Sequence, residues 1–324
     1  MEAKTSYKIL EYIKQKGQAS GNELTNHFDI TSRAIRKQLS SLLNEGKIYK
    51  IGRPPKVFYL LAEDKIKKED NTVDEKTRKI IDENFLNITP SGERQEGFEG
   101  FINWCLKRKD PLEKTAKEYV DTLKKYKRYK KDGLINGMHK LKGTFPDTAV
   151  DKLFYLDFYS IERFGKTKLG QLLLYAKQSQ NRGLIKELVD QIRPQIEELI
   201  MKYKIEAVGF IPPTVKREIQ LMRELERQLH LTNPKVSLVK VKTPVIVPQK
   251  TLNKLEDRIE NAKGTIMVDD TKKFKTVLLI DDALGSGATI NETAKKIKNQ
   301  GLADTIIGLA ITGSFSGFEV ISEV

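Results

Sequence analysis

Apolar positions along the chain change their period several times, and each change marks an element. In 6–16, Ile9, Leu10 and Ile13 fall on one face of a first helix, and 19–28 gives a second, shorter helix with Leu24 and Phe28 inward. Thr31, with Ser32 beside it, is placed to cap a third helix in which Ile35, Leu39, Leu42 and Leu43 make a stripe, and Gly46 ends it. Two short strands follow, 48–51 and 57–61, with a turn at 52–56. Residues 62–82 are dense in both charge signs and poor in apolar residues, which fits a linker or an exposed helix. Phe98, Phe101, Ile102, Trp104 and Leu106 start a further helix, and Leu112, Ala116, Val120 and Leu123 space another, before Gly133, Gly137 and Gly143 break the pattern.

From 151 the chain alternates. The aromatic-rich stretch 153–161 reads as an edge strand or a buried helix. Helices follow at 169–177 and 184–203, then a strand at 207–211 that stops at Pro212 and Pro213. Residues 214–217 open a helix running to about 230. Strands are expected at 236–241, 265–268, 277–280 and 305–311, with a helix at 291–299 that stops at Gly301. Strands alternating with helices imply a parallel α/β sheet with its ligand at the carboxyl ends of the strands. The expected domains are therefore 1–62, 63–150 and 151–324.

The stretch 276–290 (TVLLIDDALGSGATI) concentrates the chemistry. A continuous apolar run suits a strand buried on both faces. It ends on Asp281 and Asp282, a loop of small residues follows (Gly285, Ser286, Gly287, Ala288, Thr289), and a helix begins. Glycines let backbone approach a ligand, and a helix start offers N–H groups and the positive end of the dipole. Two adjacent carboxylates repel a phosphate but suit sugar hydroxyls or a Mg²⁺ shell. The combination asks for a phosphorylated sugar. A Walker loop would need a lysine after its glycines, and none is present.

Apolar strand, acid pair, small loop, Gly, x, Thr resembles the phosphoribosyl-pyrophosphate (PRPP) motif of the type I phosphoribosyltransferases. The resemblance implies that Asp281 and Asp282 hold the ribose hydroxyls and that 285–289 hold the 5-phosphate, with Mg²⁺ entering together with PRPP. Gly285 stands where that family usually has Thr or Ser, which removes one hydroxyl donor and leaves the backbone donors. Thr214, Lys216 and Arg217 match the family's pyrophosphate loop after the first core strand. Gln249, Leu252, Arg258, Asn261 and Gly264 resemble the series before the motif in the ComF-like group, with one extra residue between Leu252 and Arg258. In that fold the segment is a flap, and Lys250, Lys254 and Arg258 become pyrophosphate contacts. The implied catalytic set is Asp281, Asp282 and Arg217.

Three helices and a basic hairpin resemble a winged helix-turn-helix. The resemblance puts the third helix in the major groove of double-stranded DNA, with Thr31, Ser32, Arg33, Arg36 and Lys37 as contacts and Arg53 and Lys56 in the wing. A helical bundle that binds protein is the other reading of the same helices. The fold class expected overall is α/β: an N-terminal winged helix-turn-helix, a helical middle region, and a C-terminal type I phosphoribosyltransferase sheet flanked by helices.

Charge sharpens this picture. The formal net charge is +14, and two stretches supply it: 1–62 with 11 Lys/Arg against 5 Asp/Glu, and 107–142 with 13 against 5. A polyanion is the natural partner of the front half. The run at 124–131 interleaves cations with Tyr126 and Tyr129 and fits either a solvated helix end or a stacking surface for bases. One cysteine, Cys105, excludes an internal disulfide and fits a reducing compartment. No apolar run approaches the ~18 residues that span a membrane, so a cytoplasmic protein is expected. His27, His139 and His230 lie far apart, without metal-ligand spacing.

Three functions follow. One is a DNA-binding regulator whose transferase-like domain senses PRPP or a nucleotide, the arrangement of the purine-operon repressor. A second is a working phosphoribosyltransferase using Mg·PRPP. A third is a nucleic-acid-held transferase effector of a defence or toxin system. A winged helix reading a palindrome would favour a homodimer. The middle region is either a hood over the ligand or a dimer contact.

Overall fold

The computed structural model describes residues 5–53, 56–62, 73–213, 215, 217–241 and 264–315. They fall into two units, Met1–Asp121 and Thr122–Val324.

The first unit opens with α1 (Thr5–Lys16), α2 (Gly21–Phe28) and α3 (Ser32–Asn44), followed by a hairpin of β2 (Ile48–Arg53) and β3 (Lys56–Leu61). The expected second helix begins two residues late. Ala19–Ser20 forms a short strand, β1, paired with β3, and Ser20 caps α2 in a reciprocal capping box with Glu23. The apolar stripes meet: Ile9, Ile13, Leu24, Ile35, Leu39, Leu42, Ile48 and Leu61 form one buried cluster. The hairpin strands are longer than their sequence pattern suggests and pair through Arg53↔Lys56. The stretch expected as a linker or exposed helix ends in a helix, α4 (Glu75–Asn84), which buries Ile81.

A short hairpin, β4 (Leu86–Ile88) with β5 (Arg94–Glu96), then leads into α5 (Gly97–Arg108) and α6 (Leu112–Lys127). So the middle region is not purely helical. Its core is aromatic: Phe85 meets Phe101 edge-on at 5.2 Å, and Phe101 stacks on Trp104 at 5.9 Å. Asp82 tethers the start of α5 by accepting from the Phe98 amide at 2.6 Å.

The second unit is built on a six-stranded sheet. Two short strands, β6 (Lys130–Lys131) and β7 (Leu134–Asn136), are followed by α7 (Met138–Lys142) and β8 (Lys152–Phe158). A small hairpin, β9 (Ser160–Ile161) with β10 (Gly165–Lys166), leads to α8 (Lys168–Ser179), α9 (Arg182–Tyr203), β11 (Ala207–Phe210) and α10 (Leu221–Gln228). Then come β12 (Leu238–Lys240), β13 (Ile266–Val268), β14 (Phe274–Leu284), α11 (Ala288–Asn299) and β15 (Ala303–Gly313). The sheet order is β11-β14-β15-β8-β7-β6. Its first four strands are parallel, and β7 and β6 add an antiparallel edge.

Several elements differ from their sequence reading. Of the stretch 153–161, the part up to Phe158 is a strand, but an internal one, held between β15 and β7, while Ser160–Ile161 belongs to the separate β9–β10 hairpin. The sheet also draws on residues upstream of 151, through β7 and β6. The helix expected to open at 214–217 starts at Leu221 instead. The Gln220 amide bonds the carbonyls of Val215 and Arg217, and Gln180 takes the Ile219 amide, so 217–220 are held in a non-helical conformation. β12 and β13 pair with each other, antiparallel, outside the main sheet. Tyr126 is buried against Phe158 (4.9 Å) and Phe315 (5.3 Å), so it belongs to a core rather than to a stacking surface; Tyr129 is 48% exposed. No helix among the described residues is long and apolar enough to cross a membrane.

Candidate functional site

Two surfaces carry the residues that the sequence singles out, one in each unit. In the first unit, the Thr31 hydroxyl accepts from the Ala34 amide at 3.3 Å and starts α3. Ile35, Leu39 and Leu42 face the core, with Leu43 packed at its edge, which turns Arg33, Arg36 and Lys37 outward. Thr31, Ser32, Arg33, Arg36 and Lys37 are all exposed. Arg36 Nε donates back to the Ser32 carbonyl at 3.2 Å, so this guanidinium lies along the helix start. Lys56 is exposed at the start of β3, and Arg53 lies at the end of β2. Gly52 just before it has φ 84°, and a β-carbon there would lie 2.2 Å from the Lys56 carbonyl oxygen, so only glycine fits the hairpin's approach. The helix start and Lys56 thus present cations and hydroxyls, which is the chemistry that phosphates and base edges require.

In the second unit the apolar run enters the middle of the sheet. Val277, Leu278, Leu279 and Ile280 are fully buried, between β11 on one side and β15 on the other. β14 continues further than the apolar run: Asp281 pairs in register with Ala310, and Ala283 with Thr312. The acids therefore sit on hydrogen-bonded strand at the sheet's carboxyl end, not on a loose turn. Asp281 Oδ1 accepts the Asp282 amide at 2.8 Å. Asp282 forms an ion pair with Lys177, from the last turn of α8, with the two side chains 17% and 25% exposed. The Lys177 carbonyl in turn accepts from Arg217 at 2.8 Å. One residue at the end of α8 thus connects the acid pair to the loop after β11.

Burial, and next the negative charge of Asp282, push the Asp281 carboxyl up to about 7; its amide bond and Lys177 oppose this only in part. Two strands away, on β8, the carboxyl of Asp157, in register with Thr312 of β15, is also raised, mainly by burial. Among the described residues, no group of three or more His, Cys, Asp or Glu is arranged to hold a metal ion. A Mg²⁺ here would complete its shell from a ligand's phosphate oxygens, with Asp281 and Asp282 the nearest available carboxylates of the motif.

The loop follows directly. Gly287 has φ 76° and is the cap residue of α11, with no side-chain capping bond. A β-carbon on it would lie 2.4 Å from Leu141 Cδ2. Ser286 is buried, and its Oγ accepts the Ala288 amide at 3.3 Å. Ala288 and Thr289 already belong to the helix, whose start is therefore closer to the acids than the sequence pattern placed it. The helix, 12 residues long, begins at this glycine turn, so the positive end of its dipole lies at the loop of small residues.

The predicted site residues divide accordingly. Asp281, Asp282 and 285–289 form one continuous feature, and Arg217 joins it through Lys177. Thr214, Lys216, Lys250, Lys254 and Arg258 lie outside the described residues, as do Gln249, Leu252 and Asn261. Lys177, Lys140, Asp157 and Thr312 escaped the sequence reading. Lys177 sits on a helix that the periodicity does find, but nothing in its spacing marks a partner 105 positions away.

No curated protein matches the chain. Residues 6–52 match the DeoR-like helix-turn-helix domain, and with the β2–β3 hairpin behind it the N-terminal fold is a winged helix-turn-helix, which suggests a DNA-binding regulator.

Proposed function

We propose that the protein is a DNA-binding regulator whose second unit binds PRPP, or a nucleotide, as its signal. The observation that carries the ligand half is the carboxyl end of β14. An acid pair on a buried parallel strand is followed within a few residues by a helix that starts at a glycine. This supports a ligand with hydroxyls for Asp281 and Asp282 and a phosphate for 285–289. The DNA half rests on the helix-turn-helix match and on the exposed Arg33, Arg36 and Lys37. A domain of the type I phosphoribosyltransferase fold, ComF-like, is the reading of residues 151–324 that accommodates these features, with Mg²⁺ arriving on the ligand. Reading a palindrome as a homodimer belongs to the same proposal.

A second reading has its own support. Lys177 pairs with Asp282, and Arg217 is tethered to the Lys177 carbonyl, so two cations lie in the region where a departing pyrophosphate would need charge stabilisation. The protein would then transfer a phosphoribosyl group, and the winged helix would control or target it, as in a nucleic-acid-held effector. Calorimetric titration with Mg·PRPP, with pyrophosphate release assayed on the same samples, separates the two. Binding without release across a panel of bases supports the sensor. Release that vanishes in Asp281→Ala/Asp282→Ala establishes the transferase and displaces the sensor reading. Absence of any binding removes both.

A further inference from the structure

A Walker loop carries its own lysine; the loop at 285–289 has none. The fold supplies one from a distant segment. The helix α7 lies against the loop: Leu141 is fully buried, and its Cδ2 occupies the space that a side chain at Gly287 would take. Gly137, which begins α7, is pressed so closely on Leu284 that a β-carbon would lie 2.7 Å from its Cδ2. Lys140 immediately precedes Leu141. Its Nζ donates to Ser314 Oγ at 2.6 Å, and the Ser314 amide in turn approaches the Leu284 carbonyl at 3.4 Å, one residue before Gly285. Lys140 is thereby held at the carboxyl end of β14 and β15, beside the start of α11.

The two lysines of this region differ in an informative way. Lys177 is neutralised by Asp282. Lys140 is half-buried, and among the described residues its ammonium has one partner, a neutral hydroxyl, and no carboxylate. An ammonium withdrawn from water and left with one hydroxyl is poorly compensated, and a nearby anion would correct this. We propose that Lys140 is a ligand-binding residue of the second unit, whose ammonium takes the 5-phosphate of the phosphosugar received by the loop at 285–289. This rests on the reading of that loop as a phosphosugar site and adds the cation that its sequence lacks. Burial lowers the ammonium to about 8, which leaves it mostly charged at neutral pH and responsive to an anion.

The test uses the full chain, Mg·PRPP as the titrant, and ribose 5-phosphate and pyrophosphate as separate competitors. Lys140→Met keeps the buried stem and removes the charge. Ribose 5-phosphate should then compete roughly tenfold more weakly than with the wild type, the scale of one charge-assisted hydrogen bond, while pyrophosphate competes as before. Ser314→Ala removes only the tether, leaves the ammonium, and should bind within about threefold of the wild type. Unchanged competition by ribose 5-phosphate in Lys140→Met overturns the assignment. So does a loss confined to pyrophosphate, or a loss in Ser314→Ala as large as that in Lys140→Met, which would mark packing rather than charge. A wild-type protein that binds none of the three would instead remove the phosphosugar reading itself.

Discussion

Asp281 gives a prediction that needs no ligand. Its carboxyl rises from the ordinary 3.8 to about 7 because burial and the charge of Asp282 both disfavour ionisation. The folded protein thus holds a proton that the unfolded chain releases near pH 4. Between these values the folded state binds more protons, so stability falls as pH rises, and the full penalty is present above about 7. Moving a carboxyl over that range corresponds to at most ~4 kcal/mol, and the partial exposure of the residue should leave about 1–3 kcal/mol. Asp281→Asn keeps an oxygen for the Asp282 amide and removes the charge. It should stabilise the protein at pH 8, raising the melting temperature of the second unit by roughly 2–4 °C for each kcal/mol. The gain should shrink through pH 7 and vanish near pH 4. Scanning calorimetry of both proteins at pH 8, 7, 5.5 and 4 measures it. An Asp281→Asn protein that is equally or less stable at pH 8, or whose advantage is independent of pH, would refute the reasoning.

Gly287→Ala places a residue at φ 76° and a methyl 2.4 Å from Leu141 Cδ2; it should cost about 1–2 kcal/mol from the left-handed backbone alone and abolish Mg·PRPP binding in calorimetry. Arg33→Ala and Arg36→Ala remove exposed cations at the start of α3. Each should weaken binding to duplex DNA, and every phosphate that thereby goes unneutralised should reduce the slope of log affinity against log salt by about 0.9, read by fluorescence anisotropy at several salt concentrations. Binding of Mg·PRPP should be favoured by ionised Asp281, so affinity for it should rise by about tenfold from pH 6 to pH 8 in Lys140→Met, and by about half of that in the wild type, where Lys140 begins to lose its charge, after correction for the ligand's own phosphate titration.

The winged helix was legible because its information is local. Ile35, Leu39 and Leu42 fix which face of α3 is buried, Thr31 fixes where it starts, and the basic residues occupy what is left. The strand, acid pair and loop were legible for the same reason, since 277–289 run continuously in sequence and in space. What sequence missed depends on contacts between distant segments. Lys177 reaches Asp282 through the packing of α8 on the sheet. Lys140 acquires its place from a five-residue helix too short for periodicity to reveal. The internal position of β8 depends on pairing with β15 and β7, since an aromatic-rich run fits a buried strand and a buried helix equally. The late start of α10 is set by Gln180 and Gln220, whose amides bond Val215, Arg217 and Ile219 outside a helix, and amide partners leave no trace in hydrophobic spacing. The middle region hid a hairpin because β4 and β5 are three residues each, shorter than any pattern can resolve.

The most direct measurement is the affinity of the full chain for a duplex selected by it from a random-sequence library, with and without saturating Mg·PRPP, in the wild type and in Asp281→Ala/Asp282→Ala. A sensor should change its DNA affinity by at least about fivefold on ligand addition, the lower end of ordinary coupling between sites, and the double variant should bind DNA without responding. DNA affinity that is identical at saturating ligand, while calorimetry shows the ligand bound, would contradict the sensor reading and leave the second unit a site without a regulatory output.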